Sequence, residues 1–138
     1  HIICESVKIK ARIVELDEKE SGERKKLNFG HTFAHSIEHN TGMLHGEAVS
    51  IGMALASSLS VDSGLLSLPE HKRLVDLIKR FQLPVELTVD KKKLVASMQK
   101  DKKRQGEDIH MIFIDRIGNA LIKKIPIKQL ENLNHDLR

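Results

Sequence analysis

Tryptophan and tyrosine are absent from the sequence, and aromatics amount to only 3% of it, all phenylalanine. A core built without large rings must draw on Leu, Ile, Val, Ala and Met, which suits packed helices better than a β-sandwich. The same shortage removes the stacking platforms that hold single-stranded nucleic acids. Cysteine is nearly absent too. Cys4 stands alone, so no internal disulfide can form, and a reducing compartment is expected. Cys4 itself is expected to be an inert, buried residue. Long apolar runs are also missing. The most apolar stretch, residues 48–66, is interrupted by Ser50, Ser57, Ser58, Ser60, Asp62 and Ser63, and so reads as a buried helix and not a membrane span. No leader pattern opens the sequence, and the cytoplasm is the expected location.

Charge, by contrast, is plentiful, at 30% of the residues with a net +4. Lysine groups at Lys91-Lys92-Lys93 and within 100–104 resemble a nucleic-acid footprint. Acidic residues interleave with them, so they are expected to be solvated helix faces, with neither nucleic acid nor membrane as partner. At 138 residues the chain can bury about two-thirds of its unfolded surface. It opens at His1-Ile-Ile-Cys4, without Met and already inside an apolar pattern. The expectation is one helical domain, 1–138, cut from something longer.

The pattern along the chain predicts a helix over residues 2–16, with Ile3, Val7 and Val14 as an apolar stripe and Ile13 beside it. Residues 17–24 are polar, and Ser21-Gly22 marks a turn. A second helix is expected over 28–40, where Phe29, Phe33 and Ile37 recur every four residues before a stop at Asn40-Thr41-Gly42. A small-sided third helix covers 47–62 and closes at Gly64. Pro69 opens a helix to about residue 81, with Leu74, Leu77, Ile78 and Phe81 inward. Asp90 can cap a helix over 91–101. Residues 110–115 and 120–125 read as a hairpin across 116–119, and 127–137 as a short terminal helix. The fold class is mainly α with one small hairpin.

Four of the eight histidines, His31, His35, His39 and His45, fall within fifteen positions. The first three are spaced i, i+4, i+8 and lie on one helical stripe. Two imidazoles one turn apart can reach a single metal ion, and a third ligand from the next element completes a usual zinc shell. Spacing alone points to His31, His35 and His45. A lone helical histidine is ordinarily solvated or hydrogen-bonded inside, but this density beside Gly30 and Gly46 argues for a metal site. Arg24 and Asn28, one turn apart if that stretch is helical, can recognise carboxylate or phosphate; the plainer alternative is a surface Arg and a capping Asn. Lys8 and Lys10 diverge on a helix, so at most one can face a given site. Asp101-Lys102-Lys103 at a helix end is explained equally well by the helix dipole.

Taken together, Arg24, Asn28, Gly30, His31 and His35, followed by His45-Gly46-Glu47-Ala48-Val49, resemble the 3-dehydroquinate synthase family. The upstream series Lys8, Lys10-Ala11, Ile13-Val14, Asp17-Glu18, Glu20, Gly22 and the downstream Asp101-Lys102-Lys103 are similar as well, so the likeness runs from about Ser6 to Gly118. The resemblance implies the helical C-terminal domain of a two-domain enzyme, and a partner in the missing N-terminal NAD-binding domain. It also implies conversion of 3-deoxy-D-arabino-heptulosonate 7-phosphate to 3-dehydroquinate with loss of phosphate, in the shikimate pathway of aromatic amino acid biosynthesis. Bound NAD, a divalent zinc or cobalt ion and a homodimeric full-length enzyme go with it.

On the same resemblance, His31 and His45 would be metal ligands, and the third, a glutamate of a Glu-x-x-Lys segment, would lie upstream. Glu5-Ser-Val-Lys8 mimics that spacing but stands too near Lys10-Ala11 to be the same element. His35 and Asn28 would contact the leaving phosphate, Arg24 and Lys10 the substrate's carboxylate and hydroxyls, and Lys102 or Lys103 the phosphate. Ala34 replaces the glycine common between the two histidines, a mild change inside a helix. Residues binding NAD are not assigned. The alternatives are a sibling sugar-phosphate cyclase, a metal-dependent glycerol or alcohol dehydrogenase, and a helical module with a structural zinc. The single cysteine weakens the last, because structural sites are generally closed by four ligands rich in thiolate.

Overall fold

The computed structural model describes residues 1–87, 90–102 and 108–132, without the side chains of 91, 100–102 and 131–132. Its order is α1 (Ile2–Leu16), a 3₁₀ helix (Glu23–Asn28), α2 (His31–Thr41), α3 (His45–Asp62), α4 (Leu68–Arg80), α5 (Lys91–Lys102), β1 (Asp108–Arg116), β2 (Asn119–Pro126) and a second 3₁₀ helix (Ile127–Asn132). The mainly helical class with one hairpin is as expected. The terminal α-helix is not found over its first six residues, which wind as 3₁₀; residues 133–137 lie outside the described part.

α3 is the helix around which the others gather. Its buried face carries Ser50, Gly52, Ala54, Ala56, Ser57 and Ser60 between Ile51, Leu55 and Leu59, so neighbouring backbones approach closely on several sides. α2 packs against it through Phe33, Ala34 and Ile37, all fully buried, and β1 and α5 add Met111, Phe113, Leu94 and Met98 to the same cluster. The buried serines of α3 each bond a carbonyl of their own helix and a partner from another element. Ser60 Oγ donates to the Ala56 carbonyl at 2.8 Å and accepts from the Ile114 N–H at 3.1 Å, which ties the hairpin to α3. The hairpin is antiparallel with Ile112 opposite Ile122 and Ile114 opposite Ala120. Its irregularity at Asp115 is held by the Asn119 amide donating to both carboxylate oxygens at 2.9 and 3.0 Å. Asp90 caps α5 as predicted, its carboxylate accepting from the Lys92 N–H at 2.7 Å.

Two inward faces differ from the sequence expectation. α1 has no buried residue; Ile3 and Val7 are exposed and Cys4 is exposed, not buried. The apolar stripe exists but is covered only at its far end, where Ile13 and Val14 are half-buried near the first 3₁₀ helix. On α4 the buried positions are His71, Val75 and Ile78, whereas Leu77 and Phe81, expected inside, are exposed. The helix is rotated because the His71 ring turns inward to Ser57, 2.7 Å from Nδ1 to Oγ. No helix of the described residues is long and apolar enough to cross a membrane.

Candidate functional site

The helix expected from residue 28 begins instead at His31, because Gly30 breaks the chain with a left-handed φ of 83°. That glycine is required twice over. A Cβ on Gly30 would lie 2.6 Å from the Met53 nitrogen, and one on Gly52 only 2.2 Å from the Gly30 carbonyl oxygen. The two backbones touch where α2 starts and α3 passes, which fixes His31 as the first residue of α2. α2 closes at Gly42, again left-handed at 68°, and its N–H donates to the Glu38 carbonyl at 2.8 Å. After that turn His45 is the first residue of α3.

Both imidazoles therefore stand at helix N-termini, and their rings meet with centres 5.4 Å apart and planes tilted by 60°. Two imidazoles on one tetrahedral ion, each bound at about 2.0–2.1 Å, would place their ring centres about 5 Å apart. His31 Nδ1 lies 3.4 Å from the Phe29 carbonyl oxygen, and His45 Nδ1 lies 3.0 Å from Glu38 Oε1. Carbonyl and carboxylate oxygens only accept, so in each neutral ring Nδ1 carries the proton and Nε2 keeps its lone pair. With Nδ1 turned to an oxygen in each ring, the two Nε2 atoms are the positions at which neutral imidazoles could offer lone pairs, a chemistry that fits a divalent cation. The free N–H groups at the two helix ends add a setting that favours an anion beside it.

The set of three histidines suggested by spacing is not assembled. His35 is exposed and meets His31 edge-on at 6.2 Å and 84°. Among the described residues no three His, Cys, Asp or Glu side chains are placed to hold a metal ion. A helical i, i+4 pair can share an ion only when both rings bend to it, and here α3 supplies the nearer partner. Glu5 and Lys8 form a solvent-exposed ion pair at 2.9 Å within one turn of α1.

Arg24 and Asn28 are not one α-helical turn apart but sit on the 3₁₀ helix, with three residues per turn. Each is held by the acidic loop before it. Arg24 Nη1 donates to the Glu18 carbonyl at 2.6 Å, and the Asn28 amide donates to Glu20 Oε1 at 2.7 Å. Arg24 has further N–H groups and Asn28 keeps its oxygen and a second N–H, so both retain recognition capacity. Lys10 is exposed on α1. Lys102 lies at the end of α5 with its side chain undescribed, and Lys103 is outside the described residues.

Two arrangements have no counterpart in the sequence analysis. Asp17 organises the loop carrying Arg24: its carboxylate accepts from the N–H groups of Ser21, Gly22 and Arg24 at 2.9, 2.7 and 3.1 Å, and from the Ser21 hydroxyl at 3.0 Å. These donors, the Gly22 N–H foremost, stabilise the charged form and hold the Asp17 pKa well below the usual carboxylate range. An Asp four and five residues before Ser-Gly is the local signal. The second is the buried His71–Ser57 pair, whose burial lowers the imidazole's proton affinity while nearby Asp62 opposes that shift.

Comparison with known proteins places these residues in context. The family described as 3-dehydroquinate synthase C-terminal matches residues 1–104. A 3-dehydroquinate synthase of Campylobacter concisus is 44% identical over 126 residues, covering 88% of this chain and 36% of the relative. One from Campylobacter curvus is 46% identical with the same coverage. Among solved structures, the 2-epi-5-epi-valiolone synthase of Streptomyces hygroscopicus, with NAD+ and Zn2+ bound, superposes with a TM-score of 0.72 at 30% identity, covering 87% of this chain and 34% of that one. The chain spans about a third of the length of the curated relatives it matches. With the family match extending from α1 through α5 and the histidine pair inside it, the chain belongs to the 3-dehydroquinate synthase family and carries its C-terminal region.

Proposed function

We propose that this chain supplies the metal- and anion-binding face of a 3-dehydroquinate synthase. The reaction is conversion of 3-deoxy-D-arabino-heptulosonate 7-phosphate to 3-dehydroquinate and phosphate, a carbon–oxygen lyase step of the shikimate pathway. One observation supports it most: the His31 and His45 rings, 5.4 Å apart, each with Nδ1 engaged by an oxygen. A divalent cation such as zinc or cobalt, held by His31 and His45, would supply polarisation of a substrate hydroxyl, and NAD, held mainly by the N-terminal domain, would supply reversible hydride chemistry. In this reading His31 and His45 hold the cation through Nε2. Arg24 and Lys10 bind the substrate carboxylate and hydroxyls, and Arg24 gains rigidity from the Asp17 loop. His35 and Asn28, together with Lys102 or Lys103, offer donors to the departing phosphate and stabilise its charge. A third metal ligand comes from the portion of the relatives that this chain does not span. The setting is the cytoplasm, and the complete enzyme a homodimer.

The likeness to a valiolone synthase favours a second reading, a sibling sugar-phosphate cyclase, although the relatives at 44–46% identity are dehydroquinate synthases. The complete enzyme, given zinc and catalytic NAD, is expected to release phosphate from the heptulosonate phosphate without net NADH. Stoichiometric NADH would make it a dehydrogenase instead. Phosphate release from a heptulose phosphate lacking the carboxylate, but not from the acid, would favour the sibling. On its own the chain is expected to show no turnover.

A further inference from the structure

α2 carries more than its histidines on the face that meets α3. Glu38 follows His31 by seven residues, two helical turns, and so lies on the same stripe. The Gly42 turn then returns the chain so that His45, seven residues further on, comes back over the Glu38 carboxylate. Oε1 and the ring Nδ1 are 3.0 Å apart, with the Glu38 side chain 29% exposed and that of His45 58%. A pair this open contributes little to folding. Its value lies in orientation.

We propose that Glu38 is the positioning residue for His45. Its carboxylate accepts the Nδ1–H, which selects the tautomer with the lone pair on Nε2 and turns the ring toward His31. An unconstrained imidazole favours the opposite tautomer, with the proton on Nε2, which leaves only Nδ1 able to bind a cation. The carboxylate also makes the imidazole a better donor, as such outer partners do at metal sites. His31 has its own fixed acceptor, the Phe29 carbonyl, so the two ligating nitrogens are prepared independently, one by backbone and one by a side chain. This inference rests on the metal reading given above, and adds the residue that prepares one of its ligands.

The test uses the full 138-residue chain, labelled with 15N, with imidazole tautomers read from long-range proton–nitrogen spectra. Spectra are recorded in alkaline buffer, and the charge state of each ring is read from the same nitrogen shifts. His45 is expected to carry its proton on Nδ1 in the wild type and in Glu38→Gln, whose amide oxygen still accepts, and to change to Nε2–H in Glu38→Ala. Cobalt titrated into the same samples should bind at least about 10-fold more weakly to Glu38→Ala, with most of that loss restored in Glu38→Gln. An unchanged His45 tautomer in Glu38→Ala overturns the inference. Equal loss of cobalt in both variants also overturns it, by making Glu38 a ligand. Cobalt binding that survives His45→Ala overturns the metal reading itself, and the inference with it, and is recognised because the tautomer arm does not depend on metal.

Discussion

The His71 ring, 8% exposed on the inner face of α4 with Nδ1 against the Ser57 hydroxyl, is a neutral group in a place that resists charge. Ser57 Oγ also donates to the Ala54 carbonyl at 2.8 Å, so the shared contact uses the Nδ1–H of the imidazole and the oxygen of the serine. Burial lowers the proton affinity of the folded ring, while the unfolded chain takes up a proton near the ordinary value of about 6.5. The unfolded state therefore binds more protons in that window, and stability must rise with pH there. The full contribution is present above the unfolded value, shrinks as pH falls below it, and levels off once the folded ring is protonated too. Asp17 follows the same sign in a more acidic window: its folded carboxyl is also depressed, so its contribution is complete above the unfolded value of about 3.9 and is lost progressively as pH falls from there through the folded one. Between neutrality and about pH 5 the weakening should thus come from His71. Urea midpoints measured across that range are expected to fall in the wild type, and to fall less in His71→Gln. An identical slope in both would reject this assignment.

Among the elements, the crossing of α2 and α3 positions the site, and it depends on glycine at both crossing points. Gly52→Ala gains helix propensity worth about 1 kcal/mol, but its methyl would stand 2.2 Å from the Gly30 carbonyl oxygen, backbone that cannot swing aside. Separation of the helices should win, with a net loss of about 1–3 kcal/mol read from chemical denaturation, and with altered His31 resonances. Unchanged or raised stability would show that the contact is looser than described. This crossing also marks what the sequence could tell. The helix positions, the Asp90 cap and the hairpin were legible because each is set by residues adjacent in the chain. So was the density of histidines. The start of α2 was misplaced by three residues because Gly30 answers to Gly52, 22 positions away, and leaves no local pattern. The inner face of α4 was misjudged for the same kind of reason: Leu77 and Phe81 look apolar enough to be buried, but the choice falls to His71 and its partner on α3. Spacing proposed His35 as a ligand; only the turn at Gly42 decides that α3 brings His45 nearer.

For the molecule as a whole, the family match, the buried helical core and the paired imidazoles give a consistent account of a chain that spans about a third of its relatives. Several apolar residues of α1 are exposed, and among the described residues no third side chain joins the two imidazoles to hold a metal ion. Two imidazoles make an incomplete shell, so the metal affinity of the isolated chain is expected to be weaker than about micromolar. The central claim is that His31 and His45 share one cation. Calorimetric titration of zinc into the full chain, His31→Ala, His45→Ala and His39→Ala addresses it directly. The account predicts one weak site per chain, abolished by either of the first two substitutions and untouched by the third. Binding that persists when His31 or His45 is removed, or two independent sites lost one at a time, would contradict it.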